Sequence, residues 1–112
     1  MSVIRCLWRV SRPDSDFIQY DEFDSFVCVA ATAGEARRLH PRGEERMVWV
    51  ESDSSWHPVF PNGDVDGEAW EYHSWTGDLE SLDVVWLGEA GDGALRIAED
   101  KGSVVLASFN AG

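Results

Sequence analysis

The apolar positions of this chain fall into short runs that are typical of β-strands. Residues 25–31 are apolar almost without interruption, which predicts a central strand covered on both faces. Residues 3–10 alternate between the two sides of an extended chain, which predicts a first strand. Further strands are predicted at 47–51, 83–89 and 103–109. The segments 56–60 and 70–75 are weaker strand candidates, and Pro58 confines the first of them to a sheet edge.

One helix start can be located from the sequence. Thr32 precedes Glu35 by three residues, which is the capping-box spacing in which each side chain pairs a backbone N–H of the first turn. Pro41 cannot continue a helix and disfavours helical geometry at His40, so the helix is predicted to end there. Its apolar face is formed by Ala33, Ala36 and Leu39.

Strands combined with one short capped helix predict an α+β fold with a mostly antiparallel sheet of five to six strands. Room remains for one or two helical turns, at 79–82 with Asp78 as the cap and at 94–98. The turn signal at 61–64 opens an acidic loop over 61–69. A chain of 112 residues is long enough to bury a core, so residues 1–112 are predicted to form a single domain.

Charge is distributed unevenly along the chain. The net charge of −12 argues against binding duplex nucleic acid through its phosphates. Residues 1–46 hold seven arginines against eight acidic residues, whereas residues 47–112 hold two cations against thirteen acidic residues. Because arginine matches phosphate and carboxylate geometry, this bias makes Arg5 and Arg9 candidates for a small-anion site. Pairing of the arginines with neighbouring acids at the surface is the more ordinary interpretation.

The remaining features of composition favour a cytoplasmic protein. Two cysteines at 6 and 28 do not make a disulfide framework. No apolar run is long enough to span a bilayer, and arginines interrupt the first apolar stretch, so neither a membrane segment nor a signal peptide is expected.

Signals for catalysis and for metal binding are scarce in this sequence. No glycine-rich phosphate loop and no zinc-ligand spacing is present, and His57 with His73 is a weak metal candidate. Cys28 lies in a strand expected to be buried and inert. We therefore expect no enzyme, no catalytic residue, no cofactor and no metal.

Two stretches of the sequence carry a more specific signal for ligand binding. Residues 20–25, YDEFDS, interleave aromatic rings with carboxylates, a pattern able to stack on a base and accept from ribose hydroxyls, although closing one end of the core is the simpler role. The C-terminal residues ASFNAG form either the rim of a site or an ordinary paired strand.

The stretch YDEFDSFVCVAATAGEARRLHP, the LGEA segment at 87–90 and the terminal VVLASFNAG together resemble a family of small phage-encoded proteins. The pattern is similar to the phage anti-Thoeris sponges, which sequester cyclic ADP-ribose signals made by bacterial TIR-domain defence proteins without cleaving them. This chain departs from the pattern in an acidic insertion at 91–102 and in Cys28, where an apolar β-former is usual.

The resemblance implies a small α+β domain that oligomerises in the cytoplasm of an infected bacterial host. It implies a site in which arginines hold the phosphates of a small nucleotide signal and aromatic rings hold its base. The positions that match the pattern are Tyr20, Asp21, Asp24, Arg37, Arg38, His40, Ser108, Phe109 and Asn110.

Two other roles compete with the nucleotide binder. The acidic half, 47–112, with its Trp, Phe and Tyr residues, is compatible with a protein-interaction module that inhibits a host nucleic-acid-binding enzyme. An accessory domain with a structural role is the third interpretation.

Overall fold

Six strands, one α-helix and one 3₁₀ turn are found in residues 5–13, 22–70, 75–90 and 103–110, the part of the chain that the computed structural model describes. The mostly antiparallel α+β fold with one lone helix is confirmed. The elements are β1 Cys6–Ser11, β2 Glu22–Ala30, α1 Ala33–Arg37, β3 Met47–Val50, β4 Ser55–Pro58, the 3₁₀ turn Leu79–Ser81, β5 Asp83–Glu89 and β6 Ser103–Asn110.

The described strands form two sheets instead of the single predicted one. A four-stranded antiparallel sheet has the order β5-β1-β2-β6, and β3 pairs only with β4 in a separate hairpin. The prediction that β2 is a central strand is confirmed, since β1 and β6 flank it. The register pairs Cys6 with Ala30 at one end of β2 and Phe23 with Phe109 at the other.

Helix α1 begins as predicted and ends earlier than predicted. The hydroxyl of Thr32 accepts a hydrogen bond from the Glu35 N–H at 3.1 Å, as an N-cap should. The predicted end at His40 is wrong, because the N–H groups of Arg38 and Leu39 bond to carbonyls three residues back. These bonds give the last turn 3₁₀ geometry, so the α-helix ends upstream of Pro41.

One core joins the sheet, the helix and the β3–β4 hairpin. Trp56 of β4 is buried and packs edge-on against His40 and Trp49, with ring centroids 4.9 and 5.1 Å apart. Phe26 of β2 packs edge-on against Trp75 with centroids 5.4 Å apart. Aromatic edge contacts of this kind therefore fix the hairpin against the helix end and tie the segment before β5 to the sheet.

Three predicted features differ from the structure or lie outside it. Neither Trp70 nor Trp75 belongs to a strand, and residues 71–74 between them lie outside the described residues. Asp78 precedes the 3₁₀ turn, but its side chain makes no capping hydrogen bond, so its predicted cap role is wrong. The helical turn predicted at 94–98 falls outside the described residues. In the described ranges no helix has the length and apolarity needed to cross a membrane.

Candidate functional site

Most of the described residues that the sequence predicts to bind a ligand fall into two groups at opposite ends of β2. Arg5 immediately precedes β1, where Cys6 pairs with Ala30 at the end of β2, while Asp24 lies near its start. Six residues of extended chain at ~3.3 Å each put about 20 Å between these two ends. The two groups therefore cannot line one compact pocket within a single chain.

Arg5 connects the sheet to the helix. Its Nη1 lies 3.2 Å from Oε1 of Glu35, and its side chain is only 11% exposed. Because Glu35 lies in the first turn of α1, this ion pair fastens the helix N-terminus to the start of β1. Arg5 therefore has a structural partner of its own, as the surface-pairing interpretation expects.

The two arginines at the end of α1 also have partners within the chain. Arg37 donates from Nη2 to the Leu82 carbonyl at 3.4 Å, and its buried Nε has no hydrogen-bond partner. Arg38 donates from Nη1 to the Gly34 carbonyl at 2.9 Å and forms an ion pair with Glu51. The hydrogen bond from Arg38 lowers the pKa of the Glu51 carboxyl. These contacts join the helix to the 3₁₀ turn and to the end of β3.

His40 is a core residue. Its ring is fully buried, its Nδ1 accepts from the Arg42 N–H at 3.1 Å, and its edge faces Trp56. A ligand at the protein surface would not reach this imidazole. His40 therefore packs in the core.

The second group lies where β2 begins. Asp24 is exposed and its Oδ1 accepts from the Ser25 hydroxyl at 3.0 Å. The terminal residues pair with β2 through the backbone, with Ser108 opposite Ser25, Phe109 opposite Phe23 and Asn110 opposite Glu22. Phe23 packs against the core, which supports the simpler role for that part of the turn. Tyr20 and Asp21 lie outside the described residues.

Arg9 stands apart from both groups. It is exposed in the middle of β1, opposite Val27 on one side and Val85 on the other. Because side chains alternate along a strand, it lies on the face of the sheet opposite Trp8 and Val10, which pack against the core. No ion pair joins its guanidinium to another described residue.

A concave site lies elsewhere, on the segment that contains the β3–β4 hairpin. We call this cavity of about 330 Å³ the Arg–aromatic groove. Arg42 and Arg46 line it together with one acid, Asp66, and two aromatic rings. Its full lining is Arg42, Arg46, Met47, Pro58, Val59, Phe60, Asp66 and Trp70.

A larger cavity of about 730 Å³ adjoins the groove and shares Arg46, Val59 and Phe60 with it. Its lining adds Glu44 and Glu45, so acids outnumber cations there. In the Arg–aromatic groove the balance is reversed, with two arginines against one carboxylate. For an anionic ligand the smaller cavity is therefore the better site, in a protein whose net charge is −12.

Two consecutive tight turns place the arginines of the groove. The Gly43 N–H donates to the His40 carbonyl at 2.8 Å, and the Arg46 N–H donates to the Gly43 carbonyl at 3.0 Å. Gly43 has a φ of +98°, a conformation that other residues rarely adopt. Both arginines are exposed, and for Arg46 the structure shows no hydrogen bond or ion pair of the guanidinium to another described residue.

Backbone hydrogen bonds place the two rings. The Phe60 N–H donates to the Asp64 carbonyl and the Gly63 N–H donates to the Phe60 carbonyl, both at 2.8 Å, which closes the turn predicted at 61–64. The Trp70 N–H donates to the Trp56 carbonyl at 3.0 Å. The rings of Phe60 and Trp70 remain 49% and 48% exposed, so each offers a face to a ligand.

A buried histidine supports the wall of the groove. His57 is 4% exposed; its Nδ1 lies 2.7 Å from the Asp66 carbonyl and its Nε2 lies 2.7 Å from Oδ2 of Asp53. The hydrogen bond to the Asp66 carbonyl, followed by the one to Asp53, raises the pKa of His57. Hydrogen bonds from Ser55 and then from His57 lower the pKa of Asp53.

This cluster of serine, histidine and aspartate does not have the geometry of a hydrolytic triad. The Ser55 hydroxyl donates to Oδ1 of Asp53 at 2.6 Å and lies 3.2 Å from Nε2 of His57, the nitrogen that also faces Asp53. A triad places nucleophile and acid on opposite ring nitrogens. Burial raises the pKa of the Cys28 thiol to about 12, and the described residues contain no group of three or more potential metal ligands.

None of the eight residues that line the groove is among the site residues predicted from the sequence. Arg42 and Arg46 lie in what the sequence shows only as a polar connection, and Phe60 and Trp70 lie at the ends of predicted strands. The arginine bias of residues 1–46 was the one usable signal, since it includes both cations. Comparisons of the chain with protein-family models, with curated proteins and with solved structures gave no significant match.

Proposed function

We propose that the protein is a non-enzymatic binder that sequesters a small nucleotide signal of the cyclic ADP-ribose type in the Arg–aromatic groove, as a phage anti-defence protein would to block TIR-based immunity. One observation carries the proposal: two arginines and two half-exposed aromatic rings line a single cavity in an otherwise strongly acidic chain. The resemblance to the phage sponges supports the choice of ligand class.

The chemistry of the lining matches the parts of a nucleotide. Guanidinium groups of Arg42 and Arg46 can each donate two parallel hydrogen bonds to phosphate oxygens. The faces of Phe60 and Trp70 can stack on a base, which is worth about 1–3 kcal/mol per base. A cavity of about 330 Å³ is within the usual range for small-molecule sites.

Retention and release of an intact ligand test this function. The protein is incubated with cyclic ADP-ribose isomers, separated from free ligand by filtration and then heat-denatured, and the released compound is identified by mass. Release of the unchanged nucleotide is expected. A chemically altered product would show turnover and overturn the non-enzymatic role, and the absence of any retained nucleotide would overturn the binding role.

Matched arginine substitutions locate the site. Arg46→Gln removes a groove cation and should weaken nucleotide binding about tenfold or more, because a hydrogen bond to a charged group is worth about 1.5–3 kcal/mol. Arg9→Gln makes the same change on the face of the four-stranded sheet that points away from the core. It should leave the dissociation constant unchanged. Calorimetry that gives the reverse order would place the ligand at the sheet.

A second function is favoured by one specific surface. Val85, Trp86 and Leu87 of the edge strand β5 are exposed and are flanked by Asp83 and Glu89. Such a surface suits an acidic interaction module that inhibits a host nucleic-acid-binding enzyme. Its signature would be salt-sensitive binding to a basic protein that Trp86→Ser abolishes and nucleotides do not affect.

A further inference from the structure

We infer that the protonated imidazole of His57 is a positioning residue for the Arg–aromatic groove, so that nucleotide binding there is linked to the uptake of one proton. The inference rests on the proposed function, because it concerns regulation of the same site.

Both ring nitrogens of His57 face acceptors. A backbone carbonyl cannot donate, so Nδ1 must carry a proton to bond the Asp66 carbonyl at 2.7 Å. Nε2 must carry a second proton to bond the carboxylate of Asp53 at 2.7 Å. The Ser55 hydroxyl gives its own proton to Asp53, which leaves its oxygen available as a further acceptor for Nε2–H. The geometry is therefore that of an imidazolium.

The bond to Asp66 fixes one wall of the groove. Asp66 lines the cavity, and its N–H donates to the Pro58 carbonyl at 2.8 Å, so the residue is held to the end of β4 by its N–H and its carbonyl. The carboxylate of Asp66 accepts a hydrogen bond from the Glu68 N–H at 2.9 Å. This bond orders the loop two residues before Trp70. A neutral imidazole keeps only one N–H. With the proton on Nε2 it loses the bond to the Asp66 carbonyl, and with the proton on Nδ1 it loses the ion pair with Asp53 that holds the ring against Asp66.

The charged groups around His57 set the direction of the pH effect. Asp53 faces it from the turn before β4 and Asp66 from the loop after β4, while the residue opposite it in β3 is the apolar Val48. Both carboxylates favour the imidazolium, and the pKa of His57 is raised above its ordinary value of 6.5. Both hydrogen bonds of the His57 ring are therefore present below pH 6.5, and one of them is lost as pH rises through the raised pKa of His57. On the acid side, the ion pair between His57 and Asp53 persists until pH falls through the pKa of Asp53, which lies below its ordinary value of 3.8.

The test follows cyclic ADP-ribose affinity by calorimetry between pH 6 and pH 9 for four proteins. Wild-type affinity should fall about fivefold or more across this range, the usual size of a coupling between sites. His57→Gln should bind weakly and without this pH dependence. Any pH dependence that remains in this variant comes from the ligand or from other groups and is subtracted from the wild-type curve. Asp53→Asn should move the midpoint to lower pH. Glu68→Gln, an equal charge change in the loop after β4, should behave as wild type.

A ligand-free measurement separates this inference from the proposed function. In NMR titrations the backbone amides of Asp66 and Trp70 should shift with the same midpoint as the His57 ring protons. Amides that titrate in a protein that retains no nucleotide would leave the positioning role intact and overturn the binding function. A nucleotide affinity that is flat with pH, or a His57 midpoint below 6.5, would overturn the positioning role while the binding function stood.

Discussion

Cys28 shows how burial controls the chemistry of a single residue. Its thiol is fully buried in β2, between Trp8 of β1 and Val104 of β6 in the register of the sheet. Desolvation, followed by the nearby charge of Glu35, raises its pKa to about 12. The thiolate, which is the reactive form, is therefore almost absent at neutral pH.

Native alkylation should spare this thiol. We expect iodoacetamide at pH 8 to leave Cys28 unmodified in the folded protein and to modify it once the chain is unfolded in guanidinium, as measured by peptide mass spectrometry. The partly exposed Cys6 is the internal reference. Equal labelling of both cysteines in the native state would contradict the burial of β2.

Two phenylalanines of opposite exposure separate stability from binding. Phe26 is 1% exposed in the core, so Phe26→Ala should lower the free energy of unfolding by about 3–5 kcal/mol. Phe60 lies at the groove and is half exposed, so Phe60→Ala should change stability by less than about 1 kcal/mol. Urea unfolding measures both, and nucleotide affinity should fall only in the second variant.

At the scale of residues, the sequence predicted packing better than it predicted a site. Phe26 and Cys28 were expected to be buried because their run is apolar, and both are. The charge bias makes Arg5 a candidate and the resemblance makes Arg38 one, yet each has an acidic partner. A cation is chemically the same in either role, and only the fold shows which one has an acid beside it.

Among the elements, the turn after β4 has a backbone requirement that bears on the groove. Gly63 has a φ of +92°, and no atom would obstruct a β-carbon there, so any cost of substitution comes from the backbone alone. Gly63 also closes the turn by donating to the Phe60 carbonyl. The position of the Phe60 ring therefore depends on a conformation that glycine adopts freely.

Gly63→Ala should lower the free energy of unfolding by about 1–2 kcal/mol, the cost of a left-handed backbone for an L-residue. Gly67→Ala is the matched control, since Gly67 lies in the same loop with open space and without a positive φ. Its stability should be unchanged or slightly higher. Chemical denaturation measures the free energy of unfolding of both variants. An equal loss of stability in Gly63→Ala and Gly67→Ala would contradict the argument from backbone strain.

Local sequence signals located the elements correctly where tertiary contacts agreed with them. Strand β5 covers the residues 83–89 predicted from alternation, and the Thr32 cap starts α1 where the spacing placed it. The end of α1 was missed, because the contacts of Leu39 and His40 with the core favour a tightened turn over another turn of helix. The division into two sheets was also missed, since alternation identifies a strand but not its partner.

For the whole molecule, net charge and local charge have opposite signs. The chain carries −12, whereas the Arg–aromatic groove has an excess of cations. Salt should therefore act on stability and on binding in opposite directions. Screening relieves repulsion among the acids and, at the same time, weakens attraction between the arginines and an anion.

Raising sodium chloride from 0.01 to 0.1 M shortens the screening length from about 30 Å to about 10 Å. We expect the midpoint of thermal unfolding to rise and nucleotide affinity to fall over this range, measured by scanning calorimetry and titration calorimetry. Sucrose at equal osmolality serves as the uncharged control. A fall of the thermal midpoint with salt would show that ion pairs outweigh repulsion in this fold.

All eight lining residues of the groove belong to one continuous stretch, 42–70, whereas the four-stranded sheet is assembled from the remainder. The proposed binding surface is therefore encoded by consecutive residues. Substitutions at its exposed positions, Arg42, Arg46, Phe60 and Trp70, should change which compound is bound without altering the core, whereas Met47 belongs both to the lining and to the core. Selection on the bound compound can thus act largely apart from selection on the framework.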